Sequence, residues 1–243
     1  PGTTAGPSAT ADYTRENTPD SLPELDFGNA TVRIAYRGDE TVKLVEYEGS
    51  ETGDVVSDAV YNRNRAVEER LKVKLEFIAG DSAVDPYMGS VRTAILAGED
   101  LYDIVGAVQW HAAPQSIEGL YRNLIDAPYI DYSKPWWSND YMDTLQVSPE
   151  NRYLLSGDIS VWQLRSMSCI YFNKRLYEDS FGDPDDLYTT VMDGKWTYEL
   201  LSKYVKDVWQ DLDGDGKTSA GDILGIGSTP ISQTDHFVYT AGL

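Results

Sequence analysis

The sequence predicts an α/β fold that is built on a parallel sheet. Strand-like and helical segments alternate between residues 30 and 108. The hydrophobic period changes from two residues to about 3.6 and back as the segments succeed one another. One short apolar run does not alternate, as is usual for strands that are buried on both faces. A β-α-β-α-β order of this kind is typical of parallel sheets covered by helices.

The first two predicted strands flank an amphipathic helix. Apolar residues alternate over 30–36, which predicts the first strand, and again over 73–77, which predicts the second. Between them, residues 55–71 carry valine and leucine at helical spacing. Asp54 precedes this stretch, and an aspartate there is a favoured N-cap.

A second helix and a third strand complete the alternation. Asp85 and Pro86 predict a helix start, with the aspartate as N-cap and the proline at the first helical position. Gly98 predicts the end of that helix. The apolar run at 102–108 then predicts a short buried strand.

Weaker patterns continue towards the C-terminus. The predicted elements there are strands at 152–159, 168–173 and 224–227, a helix at 196–210 with Thr197 as N-cap, and the beginning of a helix at 235–240.

The charge balance excludes several partners. Forty acidic residues against twenty basic ones give a net charge of −20, and such a surface repels both nucleic-acid phosphates and anionic membranes. The single cysteine, Cys169, excludes an internal disulfide and is predicted to be a small buried core residue. Residues 1–24 are rich in Gly, Pro, Thr, Ser and Ala, and they are predicted to form a flexible tether.

A twelve-residue segment from Asp211 to Asp222 has the spacing of a Ca²⁺-binding loop. Oxygen ligands at loop positions 1, 3, 5, 7, 9 and 12 wrap around one ion, and a glycine at position 6 allows the sharp turn. Position 12 is an aspartate here, as in dockerin-type loops, which this segment resembles. An Asp- and Gly-rich surface turn without metal is the alternative. The predicted calcium ligands are Asp211, Asp213, Asp215, Lys217 through its carbonyl, Ser219 and Asp222.

The other candidate positions, those for ligand binding, are mostly aromatic. The chain has 17 Tyr and 6 Trp. Flat aromatic faces stack on sugars, although each tryptophan could instead pack beneath a loop. No nucleophile elbow, zinc motif or Ser-x-x-Lys motif occurs, so no enzyme is predicted. Asp158 lies at a predicted strand end. It could bind a ligand, or it could stabilise a turn or cap a helix.

Five segments, taken in their order along the chain, resemble segments of the extracellular solute-binding proteins of bacterial ABC importers. This group includes maltose-binding protein. The resemblance covers roughly residues 25–243, and the segments that carry it are 22–28, 58–74, 95–105, 119–124 and 170–174.

This resemblance implies a periplasmic-binding-protein-like fold of two α/β lobes that close on a ligand. It implies a first lobe at 25–160, nearly complete, and a hinge crossover at 161–168. The second lobe then begins at 169–243, contains the calcium loop and is expected to be truncated. It also implies an extracellular protein that is tethered to the cell surface by an N-terminal lipid anchor and delivers its ligand to an ABC permease.

Ligands of parallel sheets bind beyond the carboxyl ends of the strands. Together with the resemblance, this predicts a cleft that binds a carbohydrate. A peptide receptor of the same fold and a secreted glycosidase with a dockerin-like loop are the alternatives. The predicted ligand-binding residues are Tyr36, Arg37, Gln109, Trp110, His111, Trp136, Trp137, Asp158 and Trp162. His111 could equally be a hydrogen-bonded residue at a helix start.

Overall fold

A computed structural model describes residues 14–146, 148–166 and 169–228. The chain divides into two compact units, Pro1–Met167 and Ser168–Leu243. Among the helices of the described residues, none combines the length and the apolar character needed to cross a membrane. The helix start predicted at 235–240 lies outside the described residues, as do residues 1–13 of the predicted tether.

Helices and short strands make up the described chain. Their bounds are β1 Ala30–Tyr36, α1 Glu40–Val42, a π-helical turn at Lys43–Tyr47, α2 Val55–Leu71, β2 Val73–Ala79, α3 Val84–Leu96, β3 Ile104–Val105, α4 Gln109–Ile117, α5 Asn139–Thr144, α6 Val161–Arg165, α7 Lys174–Phe181, α8 Asp185–Met192 and α9 Tyr198–Val208.

The predicted parallel sheet is confirmed. Its strand order is β2-β1-β3, and both pairings are parallel. Strand β1 pairs with β2 along its whole length, from Ala30 opposite Val73 to Tyr36 opposite Ala79. The predicted bounds of β1 and α2 are confirmed as well. The carboxyl ends of the strands therefore lie along one edge, where the sequence predicts the ligand residues.

Local signals explain why α2 lies between the first two strands. The side chain of Asp54 accepts hydrogen bonds from the backbone N–H groups of Val56 and Ser57, as predicted for an N-cap. The helix ends at Lys72, whose backbone is left-handed with φ of 51°. That reversal leads directly into β2.

The main core packs α3 and α4 against β1. Its buried members are Ala35, Tyr87, Met88, Val91 and Ala112. They come from three separate elements, so burying them joins the sheet to both helices.

Two glycines bring the carboxyl ends of β1 and β2 into close contact. The N–H of Gly80 donates to the carbonyl of Tyr36 (2.8 Å). A Cβ added to Gly38 would overlap the backbone carbonyl oxygen of Gly80. Because backbone cannot move aside as a side chain can, this approach requires glycine.

Replacing Gly38 with alanine should therefore lower the free energy of unfolding by about 1–3 kcal/mol. Gly89 is the matched control, because it is exposed within α3 and an added Cβ would meet nothing there. Its replacement by alanine should instead raise stability by about 0.5–1 kcal/mol. Urea unfolding of both variants measures this, and equal shifts would contradict the close approach.

Several predicted elements are wrong. Strand β3 covers only 104–105, although the N–H groups of Asp103 and Gly106 on either side also donate to carbonyls of β1, and the chain becomes helical at Gln109. Helix α3 begins at Val84 rather than at Pro86, and its N-cap is Ala83 rather than Asp85.

The predicted strands at 152–159, 169–173 and 224–227 are absent from the described chain. In the first of these stretches the backbone groups form hydrogen bonds with loops instead. The carbonyl of Arg152 accepts from the N–H of Leu124, and the carbonyl of Ser156 accepts from the N–H of Ser138. The other two are irregular, and an isolated strand is unstable without a neighbour. Cys169 is exposed, not buried.

The segment just after residue 13 contacts later parts of the first unit, although the sequence predicts a flexible tether at residues 1–24. Arg15 forms an ion pair with Asp158. Asp20 pairs with Arg70 at 2.7 Å, and this hydrogen-bonded guanidinium lowers the pKa of the carboxyl to about 2. The Nζ of Lys134 donates to the carbonyl of Pro19 (2.9 Å).

The second unit is helical in its described part and has an aromatic cluster. Tyr177, Phe181 and Tyr204 pack with ring centroids between 4.6 and 5.5 Å apart. The hydroxyls of the two tyrosines lie 3.1 Å apart. Thr197 caps α9 as predicted, because its hydroxyl accepts from the N–H of Leu200.

Candidate functional site

Tyr36 ends β1, and its side chain lies inside the protein. Its side chain is fully buried, its ring stacks on that of Tyr47 at 4.7 Å, and its hydroxyl donates to Glu48. Burial raises the pKa of Tyr36 above its ordinary value, and burial also raises the pKa of Tyr47 to about 12. In this conformation protein side chains cover Tyr36, and its predicted contact with a ligand stays a prediction.

Arg37, the next residue, is half-buried beside its own strand end. Its guanidinium donates to the carbonyl of Ser82 at 3.0 Å and lies 3.8 Å from the carboxylate of Asp39. Asp39 in turn caps α1 by accepting from the N–H groups of Thr41 and Val42. The guanidinium of Arg37 thus already has partners at the carboxyl edge of the sheet.

The three predicted residues after β3 form the first turn of α4. The amide oxygen of Gln109 accepts from the hydroxyl of Tyr141. The Nε2 atom of His111 lies 2.8 Å from a carboxylate oxygen of Asp85, so the alternative of a hydrogen-bonded histidine describes its geometry. Trp110 is 66% exposed. Of the three, only Trp110 presents a wide unburied aromatic surface.

A second group of predicted residues meets where two loops touch. Trp137 and Gly157 form an isolated antiparallel bridge, and the N–H of Asp158 donates to the carbonyl of Trp136 (2.9 Å). Both tryptophans are half-buried. The indole N–H of Trp137 is buried with no hydrogen-bond partner among the described residues.

The carboxylate of Asp158 is engaged on two sides. Arg15 approaches it with two guanidinium nitrogens, one of them at 2.9 Å. The backbone of Asp158 closes the bridge described above, so the turn role weighed for this residue matches its geometry. Its side chain nevertheless remains 47% exposed.

Trp162 is held by a residue that the sequence did not reveal. Glu46, in the π-helical turn, is buried, and its carboxylate accepts from the backbone N–H of Trp162 and from the hydroxyl of Ser160 at 3.0 Å. Glu46 thus caps α6, whose own N-cap Ser160 makes no side-chain cap bond. The indole of Trp162 is 38% exposed and lies under the guanidinium of Arg165.

Replacing Glu46 with alanine should lower the free energy of unfolding by about 1–3 kcal/mol, because a buried N–H loses its acceptor. Amide exchange at Trp162 should accelerate at the same time. The control is Glu118, an exposed carboxylate bonded to Arg92 at 2.8 Å, whose replacement should cost less than about 1 kcal/mol. Equal losses in the two variants would contradict the capping role.

The predicted ligand residues therefore form three local groups: the start of α4, the bridge between the two loops, and the Glu46-capped helix. Two surface clefts of about 810 and 400 Å³ lie elsewhere in the first unit, and none of the predicted ligand residues lines either of them. Trp110, the most exposed aromatic side chain among the predicted ligand residues, is the strongest candidate in these groups for contact with a ligand.

The predicted calcium loop, Asp211 to Asp222, has a defined geometry in the second unit. Gln210 and Ile223 flank it and pair through two backbone hydrogen bonds of 3.1 Å, which close the loop at its base. Carboxylate oxygens of Asp211, Asp213 and Asp215 lie within 4.8 Å of one another. These oxygens converge as a cation requires, and hard carboxylate oxygens are what Ca²⁺ prefers.

The remaining predicted ligands support the loop backbone in this conformation. Asp222 accepts from the N–H of Leu212 at 3.0 Å and from that of Ser219 at 2.6 Å. Ser219 accepts from Gly221 N, and the N–H of Lys217 donates to Asp215. Exposed acidic groups also occur without a metal, so the convergence fits calcium without requiring it.

Hydrogen bonds from the backbone favour the charged form of two loop carboxylates. The N–H of Gly216 lowers the pKa of Asp211, and the N–H of Leu212 lowers that of Asp222. The resulting stabilisation is complete above the ordinary aspartate pKa and is lost as pH falls through the lowered values.

The loop should accordingly keep its structure down to about pH 4 and lose it in stronger acid. The amide chemical shifts of Gly214 and Gly216 report this transition, with the Gly89 amide in α3 as the reference. Loop amides that move only together with Gly89 would contradict a local carboxylate transition.

Comparisons with known proteins leave the family open. No protein-family model matches this sequence, and neither a curated protein nor a solved structure matches it. The resemblance to solute-binding proteins stays a prediction, and function is inferred from the edge of the sheet and from the loop.

Proposed function

We propose that this chain is the solute-binding component of an ABC importer and binds a carbohydrate without turning it over. The observation that carries the proposal is Trp110, an indole that is 66% exposed at the carboxyl edge of a parallel sheet. In parallel α/β sheets this edge is where ligands bind.

An exposed indole at this place suits a sugar. Its flat apolar face can cover the C–H face of a pyranose ring, while neighbouring amides bond the hydroxyls. Gln109 stands next to Trp110, and its amide already bonds the hydroxyl of Tyr141. Amide and phenol groups of this kind exchange hydrogen bonds with sugar hydroxyls at little cost in charge desolvation.

A two-lobe fold is part of the same proposal. The chain divides into two compact units between residues 167 and 168, at the end of the predicted crossover at 161–168. In this account, ligand binding closes the two lobes by a hinge motion. An extracellular location, an N-terminal lipid anchor and an ABC permease as partner follow from the family resemblance and belong to the proposal.

A thermal-shift screen tests the substrate class. Maltotriose, cellotriose, xylotriose and mannotriose are compared with the uncharged-side-chain peptides trialanine and triserine at equal concentrations, because a ligand of the native state raises its melting temperature. We expect a shift with at least one trisaccharide. If only the peptides raise the melting temperature, the ligand is a peptide and not a carbohydrate. If new reducing ends are released steadily, the protein is a glycosidase and not a binding protein.

We further propose that the loop from Asp211 to Asp222 binds Ca²⁺ as a structural ion. The support is the convergence of Asp211, Asp213 and Asp215 together with the position of Gly216, whose φ of 72° makes the turn at loop position 6. When bound, the ion would offset two of the three negative charges of these carboxylates and join the end of α9 to the chain that follows.

A further inference from the structure

A groove of about 400 Å³, which none of the predicted ligand residues lines, opens beside the start of α2. One wall consists of α1 and the π-helical turn, and the other consists of the loop before α2 and the first turn of that helix. Its lining includes Glu40, Leu44, Val45, Thr52 and Asp54.

Apolar side chains at this groove remain in contact with water. Leu44 in the first wall is 43% exposed. Val45, also in the lining, is half-buried, whereas Val55 and Val56 follow Asp54 outside the lining and are 83% and 39% exposed. Exposed apolar surface at a concave site is a usual mark of a binding surface for another protein.

The second wall is fixed before any partner arrives. The hydroxyl of Ser57 donates to the carbonyl of Ser50 (3.0 Å) and accepts from its N–H (2.9 Å). Asp58 accepts from the N–H groups of Thr52 and Gly53. Because these bonds already order the loop, a partner would not have to supply the free energy of ordering it.

The surroundings of the groove are strongly acidic. Between residues 39 and 58 the only basic residue is Lys43, and the acidic residues are Asp39, Glu40, Glu46, Glu48, Glu51, Asp54 and Asp58. Glu40 and Asp54 lie in the lining itself. A peptide segment that enters the groove is therefore exposed to a negative electrostatic potential.

We propose that this groove docks a cationic amphipathic segment of a partner protein. An apolar side chain of that segment packs on Leu44 and Val45, and its lysine or arginine residues face Glu40 and Asp54. A second copy of this chain fits poorly, because each copy carries a net charge of −20 and would bring more negative charge. The proposal does not depend on the solute that the protein binds.

The test uses the full chain, labelled with ¹⁵N, and the capped peptide Lys-Lys-Leu-Leu-Lys-Lys as a probe. Amide shifts should concentrate at residues 41–56. A Lys-Lys-Ser-Ser-Lys-Lys peptide and a Glu-Glu-Leu-Leu-Glu-Glu peptide should each bind at least about tenfold more weakly, because each lacks one of the two complementary features. Tight binding should also weaken as salt is added.

Two variants separate the groove from the acidic surface in general. Leu44→Ala and Glu40→Lys should each weaken binding of the lysine–leucine peptide about three- to tenfold. The matched controls Leu96→Ala and Glu99→Lys change exposed residues near the end of α3 and should leave the affinity unchanged.

Four outcomes would overturn the proposal. These are shifts that spread over the whole acidic surface, equal binding of the serine peptide, groove variants that bind like the controls, and self-association through these residues when no peptide is present. All four variants replace exposed side chains, so an unchanged amide spectrum away from the substitution confirms that each is folded.

Discussion

Replacing Asp211 with alanine is expected to abolish calcium binding by the loop. Asp211 occupies loop position 1, and its oxygens converge with those of Asp213 and Asp215. It also accepts from the N–H groups of Gly214 and Gly216, at 2.7 and 2.8 Å, so the same side chain shapes the turn that gathers the other ligands. The loss should exceed the roughly 10–100-fold that is typical of removing a group that only supports a metal ligand.

Calorimetric titration with Ca²⁺ measures this loss. The wild-type loop should bind with a dissociation constant on the order of 10⁻⁵ to 10⁻³ M, as isolated or extracellular loops do. The control is Asp179→Ala, an exposed aspartate in α7 of the same unit, which should leave the titration unchanged. A wild-type protein that takes up no calcium, or an Asp211 variant that titrates like the control, would contradict the calcium proposal.

Replacing Trp110 with alanine should weaken carbohydrate binding by about 30-fold, which corresponds to roughly 2 kcal/mol, a usual value for an aromatic residue that dominates a binding site. Because its side chain is 66% exposed, the free energy of unfolding should change by less than about 0.5 kcal/mol. A large effect on affinity with almost none on stability distinguishes a ligand-facing indole from one that packs beneath a loop.

The matched control is Trp209→Ala, because Trp209 is also exposed (44%) but lies at the end of α9, in the other unit. Calorimetric titration with the trisaccharide that gives the largest thermal shift compares the two variants. Affinity lost equally in both, or retained in the Trp110 variant, would argue against a sugar site at the carboxyl edge.

The sequence predicts the elements whose causes are local. The bounds of β1 and α2 follow from alternation, from helical spacing and from the N-cap Asp54, and all of these act within a few residues. Thr197 predicts the start of α9 for the same reason. The twelve-residue spacing of the loop likewise predicts that Asp211, Asp213 and Asp215 converge.

Elements that depend on distant partners could not be predicted in this way. Residues 152–159 alternate like a strand, but their backbone groups bond to loops near Leu124 and Trp136. Nothing in the local sequence distinguishes Glu46 from other charged helical residues. Its role depends on Trp162, which lies 116 positions away in the sequence and whose backbone N–H contacts its carboxylate in the fold. Tyr36 was expected in the site from its position, yet the ring of Tyr47 and the carboxylate of Glu48 cover it.

The most direct test of the central proposal follows the indole N–H signals of the six tryptophans during a titration with the trisaccharide that gives the largest thermal shift. Single tryptophan substitutions assign the signals. We expect the Trp110 signal to move in a saturable manner while that of Trp209 stays in place. A Trp110 signal that is unchanged when the protein is saturated with the sugar would contradict a carbohydrate site at the carboxyl edge of the sheet.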